Sequence, residues 1–219
     1  MAFFPLVGLA IGLLLALGHY LLSFLLPTPI VLWLTIALLA ILTGGLHLDG
    51  FADTMDGLAC GGTREKMLEV MRDSRIGAFG VISLIFLIGA KYLTLDKISP
   101  QSIPYSLMLM AVMGRSSMVW VCYRSPYARS DEGLGKPFTE NLGSREIVVA
   151  SASAFGIALL LMGVKGGSVF LGMGIFSLGY RAFFIKKLGG VTGDILGAAD
   201  ELAELLCLLL LIILEPIHL

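Results

Sequence analysis

Asp49, Asp53 and Asp56 follow one another at i, i+4 and i+7 within the stretch His47-Leu48-Asp49-Gly50-Phe51-Ala52-Asp53-Thr54-Met55-Asp56-Gly57. On an α-helix that spacing lines three carboxylates along one stripe. Like charges so placed repel, and a divalent cation converts the repulsion into binding. Magnesium suits such a stripe, because it takes hard oxygen ligands, commonly one or two protein carboxylates plus the phosphates of a substrate. Two aspartates one turn apart can share an ion, and the third allows a second ion nearby. A solvated surface helix, its acids favoured by the helix dipole, is the competing structural reading. It is the weaker one, because the stripe holds no basic partner and lies between two apolar runs of membrane-spanning length. His47 reads first as a polar helix-end residue and second as a ligand.

Two further groups point to phosphate chemistry. In Arg64-Glu65-Lys66 through Arg72-Asp73-Ser74-Arg75-Ile76-Gly77, part of the charge is ordinary i,i+3 and i,i+4 pairing. Arg72, Ser74 and Arg75 nevertheless end the segment with two guanidinium groups and a hydroxyl, and arginine suits bidentate phosphate contacts. In Gly189-Gly190-Val191-Thr192-Gly193 a glycine-rich turn opens a helix bearing Asp194, Glu201 and Glu204 at i, i+7 and i+10. The free N–H groups at such a start, around Thr192 and Gly193, attract phosphate. Capping and packing are the plainer alternative, and Gly193-x-x-x-Gly197 would let a neighbouring helix come close. Arg115 stands inside an apolar run and needs a carboxylate or a ligand anion as partner. The segment from Arg124 to Lys136 reads equally as a lid over an anionic ligand or as a basic loop on anionic lipid headgroups.

These residues must be held by membrane helices. The chain is 57% hydrophobic and 14% charged, with a mean hydropathy of +0.92, whereas a soluble domain carries about 25% charged residues. Apolar runs at 3–26, 29–46, 77–95, 102–121, 146–164, 167–185 and 199–214 predict an all-α, polytopic helical bundle. About seven transmembrane helices and cytoplasmic interfacial helices are expected, in a single membrane-embedded catalytic domain over 1–219. The runs are continuous rather than alternating, which argues against a barrel. The first run lacks a basic flank and a cleavage site, and so reads as a retained helix rather than a signal peptide.

Arg64, Lys66, Arg72, Arg75, Arg124, Arg129, Lys136, Arg145, Arg181, Lys186 and Lys187 fall on one side of this arrangement. Only Lys91, Lys97 and Lys165 fall on the other, so the first side is assigned to the cytoplasm. All acidic residues except Asp96 and Glu215 are placed on that side too. Cys60, Cys122 and Cys207 are widely spaced and read as small hydrophobes. No internal repeat is found, which counts against an inverted-repeat transporter. The glycines between Gly166 and Gly179 read as close helix packing.

The three motifs GGLHLDGFADTMDG, RDSRIGAFG and GGVTGDILGAADELAE, in this order, resemble the cobalamin synthase family, the adenosylcobinamide-GDP ribazoletransferases of bacteria and archaea. The similarity extends from Pro5 to Glu204. One departure is that family members usually carry a few tens of residues before the counterpart of Phe4-Pro5, so an amphipathic N-terminal segment is expected to be missing. The resemblance implies that the ribose 3′-hydroxyl of α-ribazole, or of its 5′-phosphate, attacks the cobinamide-linked phosphoryl group of adenosylcobinamide-GDP. GMP then leaves and adenosylcobalamin, or its 5′-phosphate, is formed.

Such an in-line displacement needs a metal to neutralise charge and basic groups to hold the leaving phosphate. Asp49, Asp53, Asp56 and Asp194 are the expected magnesium ligands, and Glu201 and Glu204 join Asp194 as further ligand or base. Arg72, Arg75, Arg115, Arg124 and Lys136, with Ser74, are the expected phosphate clamp. Which carboxylate is the base stays open. The expected partners are the two small-molecule substrates and membrane lipids, with no nucleic acid. A homo-oligomer and association with other cobalamin-assembly enzymes are compatible with the resemblance. The expected location is the cytoplasmic (inner) membrane, multi-pass, with the active face in the cytoplasm.

Two alternatives are set against this reading. A CDP-alcohol-type lipid-headgroup phosphotransferase also uses membrane-helix aspartates, but here Asp49-Gly50 runs into Phe51-Ala52-Asp53 and leaves that signature early. A cation or metabolite transporter would carry its carboxylates near the bilayer midplane.

Overall fold

A computed structural model describes residues 1–130, 133 and 135–215. The described residues form nine α-helices: α1 Phe4–Ser23, α2 Thr28–Leu42, α3 Leu46–Cys60, α4 Arg64–Val70, α5 Ala78–Lys97, α6 Ile103–Cys122, α7 Lys136–Asn141, α8 Ser144–Leu188 and α9 Gly193–Ile213. No strand occurs among them, only an isolated parallel bridge between Tyr127 and Val191. Prolines in the first turns of α1, α2 and α6 mark three of the starts, where the missing N–H costs nothing.

α6 is the central helix, with 83% of its apolar window buried against 22% for α1 and 28% for α5. It carries no large outward face because it packs between α1, α8 and α9. The main core joins Leu32 and Leu39 of α2, Leu95 of α5, Leu109 and Met113 of α6, and Leu208 of α9. The many exposed leucines, valines and phenylalanines of α1, α5 and α8 form the outer surface expected of a protein solvated by lipid.

Four helices, α1, α5, α6 and α8, are long and apolar enough to cross a membrane, and the pair α2–α3 makes a fifth if taken as one bent crossing. The expected seven is not reached by that measure, for three reasons. The run expected at 29–46 stops early, because Gly44 and Gly45 adopt left-handed φ values of 61° and 70° and turn α3 by 89° from α2. α3 therefore runs at nearly a right angle to α2 instead of continuing it. The two runs expected at 146–164 and 167–185 count as one in that measure because α8 is continuous over 45 residues, but a break at Gly163, where φ is 57° and ψ −138°, divides it into two helices, as expected. Straight, it would reach about 68 Å, more than twice a hydrocarbon core. It instead folds back on itself, bringing the rings of Phe155 and Phe170 to 5.2 Å. α9 holds Asp200, Glu201 and Glu204, too many acids for an apolar span.

One end of the bundle gathers the long connections. Phe4 at the start of α1 meets Phe138 of α7 at 5.7 Å. Arg64 Nη2 of α4 donates to the Ala128 carbonyl at 2.8 Å, and Arg181 of α8 donates to Ser125 and to the Arg124 carbonyl at 3.0 Å each. Most of the positive residues expected on one side are thus brought together there. Lys91 is not on the opposite surface as expected, but buried within the bundle. Cys122 and Cys207 are buried hydrophobes as expected, while Cys60 is exposed at the end of α3. In the glycine-rich part of α8, Gly166 packs against the Ala158 carbonyl and Gly172 against Leu210, whereas Gly174 and Gly179 face open space.

Candidate active site

α3 and α9 cross at glycines. A Cβ on Gly50 would stand 2.9 Å from Asp194 Cα, and one on Gly197 would stand 3.2 Å from His47 Cα. The backbones touch because neither position carries a side chain. This crossing sets Asp49 of α3 and Asp194 of α9 on the wall of one cavity of about 220 Å³, together with His47, Tyr127, Arg129 and Phe138. Asp53 lies one turn further along α3. Partial burial, then the charges of Asp49, Asp194 and Asp56, push its carboxyl up to about 7. Those carboxylates come from two helices, so the tertiary fold has converted a stripe into a cleft.

Arg129 offsets part of this negative charge. Its Nη2 donates to Asp194 Oδ2 at 2.8 Å and, at 3.4 Å, to the Met71 carbonyl. The Thr192 hydroxyl donates to the same Asp194 oxygen at 3.2 Å and accepts the Ile195 N–H at 3.3 Å, which caps α9. Val191 N–H donates to the Pro126 carbonyl and Ala128 N–H to the Val191 carbonyl, each at 2.9 Å. These bonds fix the loop that delivers Arg129. The glycine-rich turn thus serves loop docking and capping, with Gly193 on the cavity wall. Beyond Arg129 lies a second, more open cavity of about 420 Å³, bordered by Arg64, Arg72, Glu65, Glu69 and Ser130.

Asp56 departs from its expected part in the metal set. Its Oδ2 accepts the Gly77 N–H at 2.7 Å and its Oδ1 the Gly80 N–H at 2.8 Å, so it caps the start of α5 from a neighbouring helix. A Cβ on either glycine would fall onto this carboxylate. The glycines of the RDSRIGAFG motif are therefore explained by Asp56 rather than by phosphate.

Glu201, Glu204 and Arg115 are also placed elsewhere than expected. Lys91 Nζ of α5 donates to Glu201 Oε2 and Glu204 Oε2 at 2.6 Å each. Arg115 of α6 pairs with Glu204 and, at 3.2 Å, with Asp200 Oδ2. His47 Nδ1 stands 2.7 Å from the same Asp200 oxygen. Lys91, Arg115, Asp200, Glu201 and Glu204 are all buried, and charges in such surroundings persist only when paired. Polar chemistry is thus not confined to one face. Among the described residues, the grouping nearest to metal-ligand geometry is His47, Asp200 and Glu201, with ligand atoms within 4.8 Å of one another. Lys91 and Arg115 already neutralise it.

The remaining expected residues lie further out. Arg75 is exposed and forks onto Asp73, with contacts of 3.0 and 2.7 Å, and holds that carboxyl down to about 2. Ser74 is exposed in the same turn, and Arg72 borders the second cavity. Arg124 takes a left-handed φ of 55° and lies over the Tyr123 ring at 5.2 Å. Lys136 opens α7 beside Gly135 of the first cavity. Asp131, Glu132 and Leu134 of the expected lid lie outside the described residues.

Sequence reasoning singled out neither Asp200 nor Lys91, and it counted Arg129 within the lid segment without pairing it to Asp194. A signal existed for the first two, since an acid or a lysine inside an apolar helix needs an internal partner. The place of Arg129 beside Asp194 had no signal, because its loop is positioned by backbone bonds.

The chain was compared with known proteins. The family model described as cobalamin-5-phosphate synthase matches residues 1–212. A protein of Geotalea daltonii named adenosylcobinamide-GDP ribazoletransferase is 43% identical over 212 residues, covering 97% of this chain and 85% of that relative. Proteins of the same name from Acetivibrio thermocellus, at 41%, and Escherichia coli O139:H28, at 40%, cover 96% and 95% of this chain and 85% of their own lengths. No solved structure matches. The match over nearly the whole chain and the level of identity agree, and the chain belongs to the cobalamin-5-phosphate synthase family.

Proposed function

We propose that this chain carries out the final assembly step of adenosylcobalamin. A ribose hydroxyl of α-ribazole, or of its 5′-phosphate, displaces GMP from adenosylcobinamide-GDP at the cytoplasmic face of the inner membrane. Family membership supports the reaction. The observation that carries the site is the meeting of Asp49 and Asp194, from two helices, at a cavity walled by Arg129, with Asp53 one turn along α3 and within reach of their charges.

Magnesium fits these residues by donor type and by charge. All three offer carboxylate oxygens, and the burial and then the mutual repulsion that raise Asp53 are what a cation relieves. When bound, magnesium would neutralise pyrophosphate charge and the charge developing on the departing phosphate. Asp56 is left out of this set because both of its oxygens hold the start of α5.

The chain's own residues do the rest. Arg129 keeps one edge of its guanidinium on Asp194 and forms the partition between the two cavities, where it can hold phosphate oxygens. Arg64 and Arg72 extend that positive wall. A cavity of about 220 Å³ admits phosphate-sized groups and no corrin ring, so the macrocycle stays outside it.

The test is GMP release by the purified protein in proteoliposomes, supplied with adenosylcobinamide-GDP, α-ribazole 5′-phosphate and magnesium. GMP should appear together with a corrinoid product, and chelation should stop both. Folded protein that releases no GMP would overturn the reading.

A further inference from the structure

The second cavity, of about 420 Å³ against about 220 Å³ for the first, mixes charges in a way that a plain phosphate site would not. Arg64, Glu65, Leu68, Glu69 and Arg72 follow at i, i+1, i+4, i+5 and i+8, so one face of α4 and the turn after it form one wall. The loop carrying Arg129 forms the other. Arg64 is held in place, since its Nη2 donates to the Ala128 carbonyl at 2.8 Å and a Cβ on Gly189 would stand 2.6 Å from its Nη1. Arg129 borders both cavities, and its Nε is buried with no hydrogen-bond partner among the described residues. An unpaired buried donor is costly, and a ligand oxygen at this partition would complete it.

The two glutamates would repel a bare phosphate. They suit a ligand that carries hydrogen-bond donors as well as negative charge. Guanine is such a group, because its N1–H and its N2 amino group lie side by side and match the two oxygens of one carboxylate. Glu65 is already engaged, accepting from the Thr63 hydroxyl and from its own N–H. Glu69 meets Lys66 at 3.1 Å, but these side chains are 70% and 57% exposed, and such a pair gives way to a better partner. We propose that the second cavity holds the guanosine of adenosylcobinamide-GDP and that Glu69 accepts from the N1–H and N2–H donors of its base. The inference rests on the reaction proposed above and gives the substrate a direction. The phosphoryl group under attack lies at Asp49 and Asp194, the departing phosphate at Arg129, and the nucleoside beyond it against α4. The order along the substrate is thus the order of first cavity, partition and second cavity. Leu68, half-buried between the two glutamates, gives the purine ring an apolar seat.

The experiment offers the full chain in proteoliposomes the adenosylcobinamide conjugates of GDP, IDP and ADP, and measures kcat and KM for release of the nucleoside monophosphate. Hypoxanthine lacks the N2 amino group, and adenine presents an acceptor where guanine has N1–H. Wild type should lose about tenfold in kcat/KM on the IDP conjugate and about 100-fold on the ADP conjugate, mainly through KM, as one and two hydrogen bonds to a charged acceptor are lost. Glu69→Ala should raise KM for the GDP conjugate about tenfold or more, keep kcat within about threefold, and bring the three conjugates within about threefold of one another.

Equal use of the three conjugates by wild type would overturn the assignment. So would a Glu69→Ala protein that discriminates among them as wild type does. Calorimetric titration with GMP and AMP gives a second readout that needs no turnover. GMP should bind wild type about tenfold more tightly than AMP, and Glu69→Ala should bind the two alike. Wild type without a preference for GMP overturns the subsite. Wild type that prefers GMP, loses the preference in Glu69→Ala and releases no nucleotide from any conjugate would refute the reaction and leave the subsite standing.

Discussion

Asp53 and Asp56 are three residues apart on one stripe, and their surroundings give them opposite roles. Asp56 has two backbone N–H partners, whereas Asp53 faces other carboxylates. Asp53→Asn is expected to abolish turnover and magnesium-dependent thermal stabilisation. Asp56→Asn should leave the magnesium effect in place and lower stability by about 1 kcal/mol, the usual worth of a lost cap. The pH dependence follows from sign. A carboxyl at about 7 in the folded protein, against an ordinary 3.8, binds its proton more tightly when folded. Its contribution to stability is complete below about 4 and is lost as pH rises through 7. In chelator, the melting temperature should therefore fall between pH 5 and pH 8, and Asp53→Asn should flatten that slope. Added magnesium should restore stability at pH 8 and lose its effect below pH 7, where the proton competes. Thermal scans of detergent-solubilised protein with and without magnesium check each point.

At the scale of elements, the site exists because α3 and α9 can touch. Gly50 and Gly197 are the contact points, and a side chain on Gly50 would strike the Asp194 backbone. Gly50→Val is expected to destabilise by about 1–3 kcal/mol, the usual cost of overpacking. It should also cut GMP release at least tenfold at saturating magnesium by parting Asp49 from Asp194. Unchanged kcat in a folded Gly50→Val protein would show that the two acids work independently. The 89° turn at Gly44 and Gly45 is the second requirement, because a straight continuation of α2 would carry the aspartates away from α9.

For the whole molecule, one end of the bundle holds both cavities and most of the arginines, and the cytoplasmic assignment can be tested there. Cys60 is exposed near that end while Cys122 and Cys207 are buried. A membrane-impermeant maleimide should label Cys60 in inverted vesicles and spare it in right-side-out ones; the reverse pattern would invert the topology.

The sequence alone determined the helical membrane character, the three motifs and the family, since long apolar runs have few physical solutions and the motifs keep a fixed order. It also named the aspartates of the proposed site, Asp49 and Asp53 on α3 and Asp194 on α9. It did not separate Asp53 from Asp56, since periodicity reports a shared stripe and not what each carboxylate meets. Nor did it place Lys91, Asp200 or Arg129, whose partners lie 65 to 113 residues away or, for Asp200, on two other helices. Only the tertiary structure decided these roles, because burial and charge pairing are set by which helices meet, and that depends on contacts distant in the chain.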